Sequence, residues 1–166
     1  MATEQNLQNA FAGESQANRK YLAFALKAEA DGFPQIAKLF RATAEAETVH
    51  ALAHLRAMGG VKSTEENLTE AVAGEGFEFA EMYPPYLKAA RDECHKAAEV
   101  SFRNAMAVEK IHHDLYGEAL ASIREDRDLP AGDIFVCGIC GNTIKGEPPG
   151  NCPICGVRKQ MFRKVE

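Results

Sequence analysis

Apolar residues recur at a helical spacing through four long stretches of the chain, and the pattern breaks only near the C-terminus. The first stretch opens at Thr3, read as an N-cap before Glu4, and closes at Gly32 ahead of Phe33-Pro34. Its stripe runs through Leu7, Ala10, Phe11, Ala17, Tyr21, Leu22, Ala25 and Ala28, and Glu14 falls on the same face. The second begins at Pro34, suited to a first helical turn, and stops at Gly59-Gly60; its inward positions include Ile36, Leu39, Phe40, Thr43, Glu47, His50 and Leu55.

Ser63-x-x-Glu66 reads as a capping box, so the third helix should open between Thr64 and Asn67. It carries Glu75 and Glu78 into Pro84-Pro85, where missing backbone donors predict a kink or an interrupted hydrogen-bond ladder. A turn at Asp92-Glu93-Cys94-His95 is placed mainly by helix length, and the fourth helix then runs from about His95 to Arg124. Counting roughly ten residues from Gly59 to the next helix, at about 3.3 Å each, the connection spans much of a bundle's length. A crossover between parallel second and third helices is therefore expected to be feasible.

Asp126 to Gly132 is polar, contains Leu129-Pro130 and lacks helical periodicity. Beyond it, short β-type runs, Ile134-Phe135-Val136 and Gln160-Met161-Phe162, flank two cysteine pairs. The division expected is a helical domain over 1–127, a linker over 128–132 and a small β-rich module over 133–166. So short a module cannot build its own apolar core, and a bound metal should supply folding energy.

The polar residues on the buried faces form a pattern of their own. Glu47-x-x-His50 and Glu109-x-x-His112 each set a carboxylate and an imidazole three apart, on one helix face. A four-helix bundle holding two metal ions takes such a pair from each of two helices and further Glu from the others. Glu14, Glu75 and Glu78 lie on those others. Glu14, Glu47, Glu78 and Glu109 each fall about 10 to 14 residues into their helices, which puts them at one depth at about 1.5 Å per residue.

Several ionised carboxylates buried together would repel and become protonated unless cations join them. Carboxylate oxygens with one imidazole per ion suit iron or manganese better than structural zinc. Solvated charged faces would explain any single Glu as well, but not the matched set. Tyr21 and Tyr83 are placed to donate a hydroxyl to a ligating carboxylate or simply to pack. His54, His95 and His113 read as packing or surface residues, and Cys94 as an incidental buried thiol.

Cys137-x-x-Cys140-Gly141 and Cys152-x-x-Cys155-Gly156 form two knuckles of a tetrahedral four-thiolate site, which zinc or a single iron fits equally. The remaining composition narrows the partners. Over 166 residues the net charge is -5 and 46% of residues are hydrophobic, so nucleic acid and anionic membranes are disfavoured as partners and one good core can form. No basic leader with an apolar segment opens the chain and no run reaches membrane-spanning length, so a cytoplasmic location is expected.

Taken together, Gly13-Glu14-Ser15-Gln16, Glu47-x-x-His50, Glu75-x-x-Glu78 leading to Glu81-Met82-Tyr83-Pro84, Glu109-x-x-His112 and the C-terminal cysteine pairs resemble rubrerythrin along essentially the whole chain. The resemblance implies a mainly α fold: a ferritin-like four-helix bundle with a small C-terminal β-rich, rubredoxin-like metal domain built on four cysteines. It implies a non-haem di-iron centre bridged by Glu47 and Glu109, with Glu14, Glu75 and Glu78 as terminal carboxylates, His112 a constant ligand, and His50 exchanging with Glu78 as the redox state changes. Cys137, Cys140, Cys152 and Cys155 would hold a mononuclear iron. The implied activity is peroxidase: reduction of hydrogen peroxide to water, in oxidative-stress defence, with electrons from an external NAD(P)H-linked reductase, directly or through rubredoxin. A homodimer is implied, one subunit's thiolate-bound iron facing the other's di-iron site. Two rivals stand beside this reading: a ferritin-like ferroxidase that handles iron, and a zinc ribbon joined to a helical interaction module.

Overall fold

The computed structural model describes residues 1–166. Helix α1 (Ala2–Ala30) and helix α2 (Pro34–Ala57) form an antiparallel hairpin. Gly32, at φ +84°, makes the turn between them, a conformation open to glycine. The first helix starts one residue before the expected cap, at Ala2, because the chain's ammonium group reaches the Glu4 carboxylate at 2.7 Å and covers the first turn. The buried positions of the hairpin are small, Ala25, Ala28, Ala37, Ala44 and Ala51, which lets the two backbones approach closely. Asn18 is buried among them and donates to the Ala44 carbonyl at 2.6 Å and to Thr48 Oγ1 at 2.8 Å, fixing the register of one helix on the other.

The chain divides into two compact units, Met1–Lys62 and Ser63–Glu166. In the second, α3 (Thr64–Phe77) opens on the expected capping box: Ser63 Oγ accepts from the Glu66 N–H at 3.3 Å, and Glu66 Oε2 accepts from the Ser63 N–H at 3.1 Å. The helix thus begins at the first residue allowed. The connection from α2 is correspondingly short, Met58 to Ser63, against the roughly ten residues expected from the sequence.

The break expected near Pro84-Pro85 takes the form of a π-helical turn, Glu78–Met82, that leads directly into α4 (Tyr83–Asp92). The two prolines cannot donate to the carbonyls of Ala80 and Glu81, and the Tyr83 N–H bonds instead to the Glu78 carbonyl, five residues back. The prolines then occupy the first turn of α4, where no donor is needed. The α4–α5 turn falls where helix length placed it. Cys94 takes a positive φ of 55° there in place of a glycine, and it is exposed rather than the buried thiol expected. His95 Nδ1 accepts from the Ala98 N–H at 3.2 Å and caps α5 (Lys96–Arg124).

The C-terminal module is a three-stranded antiparallel sheet of β1 (Ile134–Cys137), β2 (Thr143–Lys145) and β3 (Phe162–Lys164), in the order β2-β1-β3. Only Phe162 of the second expected β-type run enters a strand. Lys159–Met161 is a 3-10 turn that feeds it. No helix is long and apolar enough to cross a membrane.

The Ser63 cap is testable in isolation. Ser63→Ala should cost about 1 kcal/mol in reversible denaturation, while Ser63→Asp should retain most of the stability, since either oxygen can accept from the Glu66 N–H.

Candidate metal centres

Helix packing gathers the sequence's acidic and imidazole residues into two sets of three, one in each compact unit. In the first unit α1 supplies Glu14 and α2 supplies Glu47 and His50; in the second α3 supplies Glu75 and α5 supplies Glu109 and His112. Within each set the candidate ligand atoms all lie within 4.8 Å of one another. Two ligands on one ion, bound at about 2.0–2.2 Å, are separated by at most about 4.4 Å, so small side-chain adjustments would close either set on a cation.

The sets match in detail. His50 Nδ1 lies 2.9 Å from Glu47 Oε2, and His112 Nδ1 lies 2.8 Å from Glu109 Oε2, the i, i+3 geometry expected of each Glu-x-x-His pair. Glu75 Oε1 approaches His112 Nδ1 at 3.9 Å. The carboxylates are neither core nor free surface: Glu47, Glu75 and Glu109 are 17–21% exposed.

On the second set, the electrostatics have a direction. Burial, and then the charge of Glu109, raise the Glu75 carboxyl above its ordinary value. Burial, and then Glu75, do the same to Glu78, which the π-helical turn holds beside the set. Tyr83 follows at the end of that turn, its hydroxyl pushed up by burial and then by Glu78, Glu109 and Glu75. Its ring packs against Tyr86 and Phe102 at centroid distances of 6.3 and 6.2 Å. The Tyr21 ring packs against Phe24 and Phe40 in the first unit. His113 also packs, edge-on to Phe79 at 5.4 Å, and a Cβ on Gly76 would come within 3.2 Å of it.

The far side of the His112 ring is occupied by the C-terminal module, a partner that sequence reading missed. Thr143, the first residue of β2, places Oγ1 2.9 Å from His112 Nε2 and donates its own hydroxyl to the Gly141 carbonyl at 3.1 Å. With its proton committed there, Thr143 accepts from His112, and the imidazole carries its hydrogen on Nε2. Nδ1 is left facing a Glu109 carboxylate oxygen at 2.8 Å. Such a pair holds a proton or a metal ion between nitrogen and oxygen, and with Glu75 nearby the set has the carboxylate and imidazole donors to fit a metal ion. Gly141 packs next to the buried Val108 of α5, and Lys145 of β2 pairs with Glu118 of α5, so the module's attachment does not rest on one hydrogen bond. A cleft of about 560 Å³ with mainly apolar walls, including Leu68, Leu115 and Ile134, opens beside Glu75 and His112.

The four cysteines of the module converge. Cys137 Sγ lies 3.7 Å from Cys155 Sγ, and Cys140 Sγ lies 3.6 Å from Cys152 Sγ. A tetrahedron of thiolates with metal–sulfur bonds of about 2.3 Å has edges of about 3.8 Å, so the cage is already the size of its ion. Against the upward push of burial, backbone N–H groups of Cys155 and Ile154 bring the Cys152 thiol down to about 6, whereas burial raises Cys140. The buried Asn142 adds a side-chain donor 3.6 Å from Cys152 Sγ. Such donors stabilise negative charge on sulfur.

Comparison with known proteins bears on both centres. Residues 5–120 match the rubrerythrin family model, and residues 135–163 match that of the rubrerythrin rubredoxin-like domain. Rubrerythrin-2 of Clostridium acetobutylicum is 37% identical over 171 residues, covering 95% of this chain and 93% of that one. Nigerythrin of Nitratidesulfovibrio vulgaris is 38% identical over 176 residues, covering 97% of this chain and 85% of its own. A solved structure of nigerythrin in its fully reduced, all-ferrous state superposes with a TM-score of 0.59 at 33% identity, covering 98% of this chain and 86% of that one. The fold class is accordingly that of a ferritin-like bundle followed by a rubredoxin-like module, with iron as the metal of both. By its matched segments and by the carboxylate, imidazole and thiolate sets they contain, the chain belongs to the rubrerythrin family of iron-dependent oxidoreductases.

Proposed function

We propose that this protein is a peroxidase that reduces hydrogen peroxide to water with electrons relayed through its thiolate-bound iron. Glu14, Glu47, His50, Glu75, Glu78, Glu109 and His112 would hold a di-iron centre, and Cys137, Cys140, Cys152 and Cys155 the mononuclear iron, as parts of a bundle domain over 1–127 and a module over 133–166. Iron bound in these places supplies redox chemistry: a ferrous pair carries the two electrons that H2O2, with two protons, needs to become two waters, and a thiolate-bound iron cycles by one electron.

The observation that carries this reading is the hydrogen bond from His112 to Thr143. It links an imidazole of one centre to the polypeptide of the other: Thr143 bonds the Gly141 carbonyl, and Gly141 follows Cys140 in the chain. A ferroxidase that stores iron has no use for such a link, and an electron-fed enzyme does. The other residues have complementary tasks. The apolar cleft beside Glu75 admits a small neutral solute such as peroxide and disfavours ions. Tyr83, kept protonated by burial and its carboxylate neighbours, can donate a hydrogen bond toward the acidic cluster. An NAD(P)H-linked reductase, directly or by way of rubredoxin, would supply the module from outside.

Peroxide consumption coupled to a reductase is the direct test. Wild-type protein should turn over, and Cys140→Ser should abolish reductase-fed turnover while a single chemical reduction of the di-iron centre still consumes one equivalent of peroxide. Undiminished turnover in the variant would exclude the relay.

Thr143→Val keeps the shape of the side chain and removes the acceptor from His112. Re-reduction of the peroxide-oxidised centre, followed through the visible absorption of the thiolate-bound iron, should slow by roughly ten-fold or more, with iron content unchanged and Thr143→Ser near wild type.

Metal removal should also reverse a pH dependence. In the metal-free protein Glu75 and Glu78 have folded-state values raised above 4.5, so their contribution to stability is present below about 4.5 and lost as pH rises through the folded values. Thermal unfolding of the metal-free protein should show this loss, and the Glu75→Gln/Glu78→Gln variant should not.

A further inference from the structure

One buried residue of the C-terminal module touches three of the four cage cysteines without being a ligand itself. Asn142 is 1% exposed. Its carbonyl accepts from the Cys137 N–H at 2.9 Å, its own N–H is bonded to the Cys140 sulfur, and its side-chain amide donates to Cys152 Sγ at 3.6 Å. The first two bonds belong to the backbone of the knuckle, and any residue but proline would make them. The third exists only because the side chain is an amide.

That amide leaves a polar atom stranded. Asn142 Oδ1 is buried and has no hydrogen-bond partner. Turning the amide over would bring Oδ1 to the sulfur and set two acceptors against each other, so the nitrogen faces Cys152 and the oxygen goes unpaired. Leucine has nearly the same size and shape and would fill the space with no polar atom to satisfy. Packing therefore gives no reason for an amide at this position. The reason lies at its other end, on the sulfur.

Cys152 is 2% exposed, and its sulfur also takes the backbone N–H groups of Ile154 and Cys155. In so enclosed a site a fixed donor counts for more than it would in water. Reduction adds a negative charge to the cage, and a hydrogen bond to sulfur favours the more negative state.

We propose that the Asn142 side chain holds the reduction potential of the thiolate-bound iron up, by giving Cys152 a hydrogen bond that strengthens in the ferrous state. This rests on the assignment of iron to the cage made above. Asn142 is a positioning residue: it acts through Cys152 and touches no substrate. Thr143, the next residue, meets His112, so two consecutive side chains address the two centres. The first sets how readily the cage holds an electron, and the second ties the module to α5.

Asn142→Leu removes the donor and keeps the volume. In the full-length, iron-loaded protein, the visible absorption of the ferric cage can be followed through a spectroelectrochemical titration. The ferrous-to-ferric ratio at a given potential should fall by about ten-fold, which for one electron is a shift of about 59 mV to lower potential. Iron content should be unchanged, and the thermal unfolding midpoint should not fall, because the unpaired Oδ1 leaves with the amide. An unchanged potential in the iron-loaded variant would overturn the proposal. If the unfolding midpoint also dropped, Asn142 would be a structural residue only. Wild-type protein that takes up zinc alone in the cage would instead overturn the iron assignment, and the proposal with it.

The hydrogen bond can also be read without iron and without a variant. In full-length wild type loaded with NMR-active cadmium, the Asn142 side-chain amide protons should couple to the metal through Cys152 Sγ, as the Ile154 and Cys155 N–H protons should. Coupling from the backbone protons alone would overturn the proposal, whether or not the leucine variant folds.

Discussion

Carboxylates of like charge held at fixed depth on packed helices are the constraint that organises this protein. Burial opposes the ionisation of Glu75, and helix packing brings Glu109 close enough to add to the effect. A fold that spends stability on such a cluster needs a cation to offset it, and the imidazoles are positioned accordingly. Both His50 and His112 turn Nδ1 to their own carboxylate at under 3 Å. In His112 the other nitrogen is already committed, so which nitrogen faces Glu109 is set by a residue 31 positions away in sequence.

That distant residue, Thr143, joins two pieces of chemistry that the sequence writes separately. The knuckle of Cys137 and Cys140 turns at Gly141, and the backbone emerging from the turn enters β2 at Thr143, directly against α5. Gly141 has φ +83° and sits against Val108, so the same small residue both makes the turn and allows the module to approach the helix. Docking of the module and orientation of the His112 ring are thus one structural event.

The π-helical turn at Glu78–Met82 plays a comparable part on the opposite wall. Two prolines withdraw donors that an α-helix would use, the turn widens by one residue, and Glu78 and Tyr83 are carried to the acidic set. Sequence reading located this break through Pro84-Pro85 but not its form, since a kink and a π-turn are both answers to a missing N–H. Fitting a full additional residue into the turn depends on what α5 presents to it, and that is a tertiary matter.

Much of the rest was written locally. Helical periodicity with caps at Gly32, Pro34 and Ser63 placed the helices to within a few residues, and the spacing of Glu and His on one face and of the two Cys-x-x-Cys pairs picked out residues that the fold gathers into sets. These features depend on neighbours within one or two turns, and a linear pattern can encode them. The length of the α2–α3 connection was misjudged because Ser63 could begin its helix at Thr64 or a few residues later, and only the formed capping box decides. The Thr143–His112 bond, the buried Asn18 that registers α1 on α2, and the exposed turn at Cys94 had no local signature. Each joins groups brought together by packing across long stretches of chain. The kinds of chemistry available were therefore determined by the sequence, whereas tertiary structure decided which groups touch, because contact between distant residues exists only after the helices have chosen their faces.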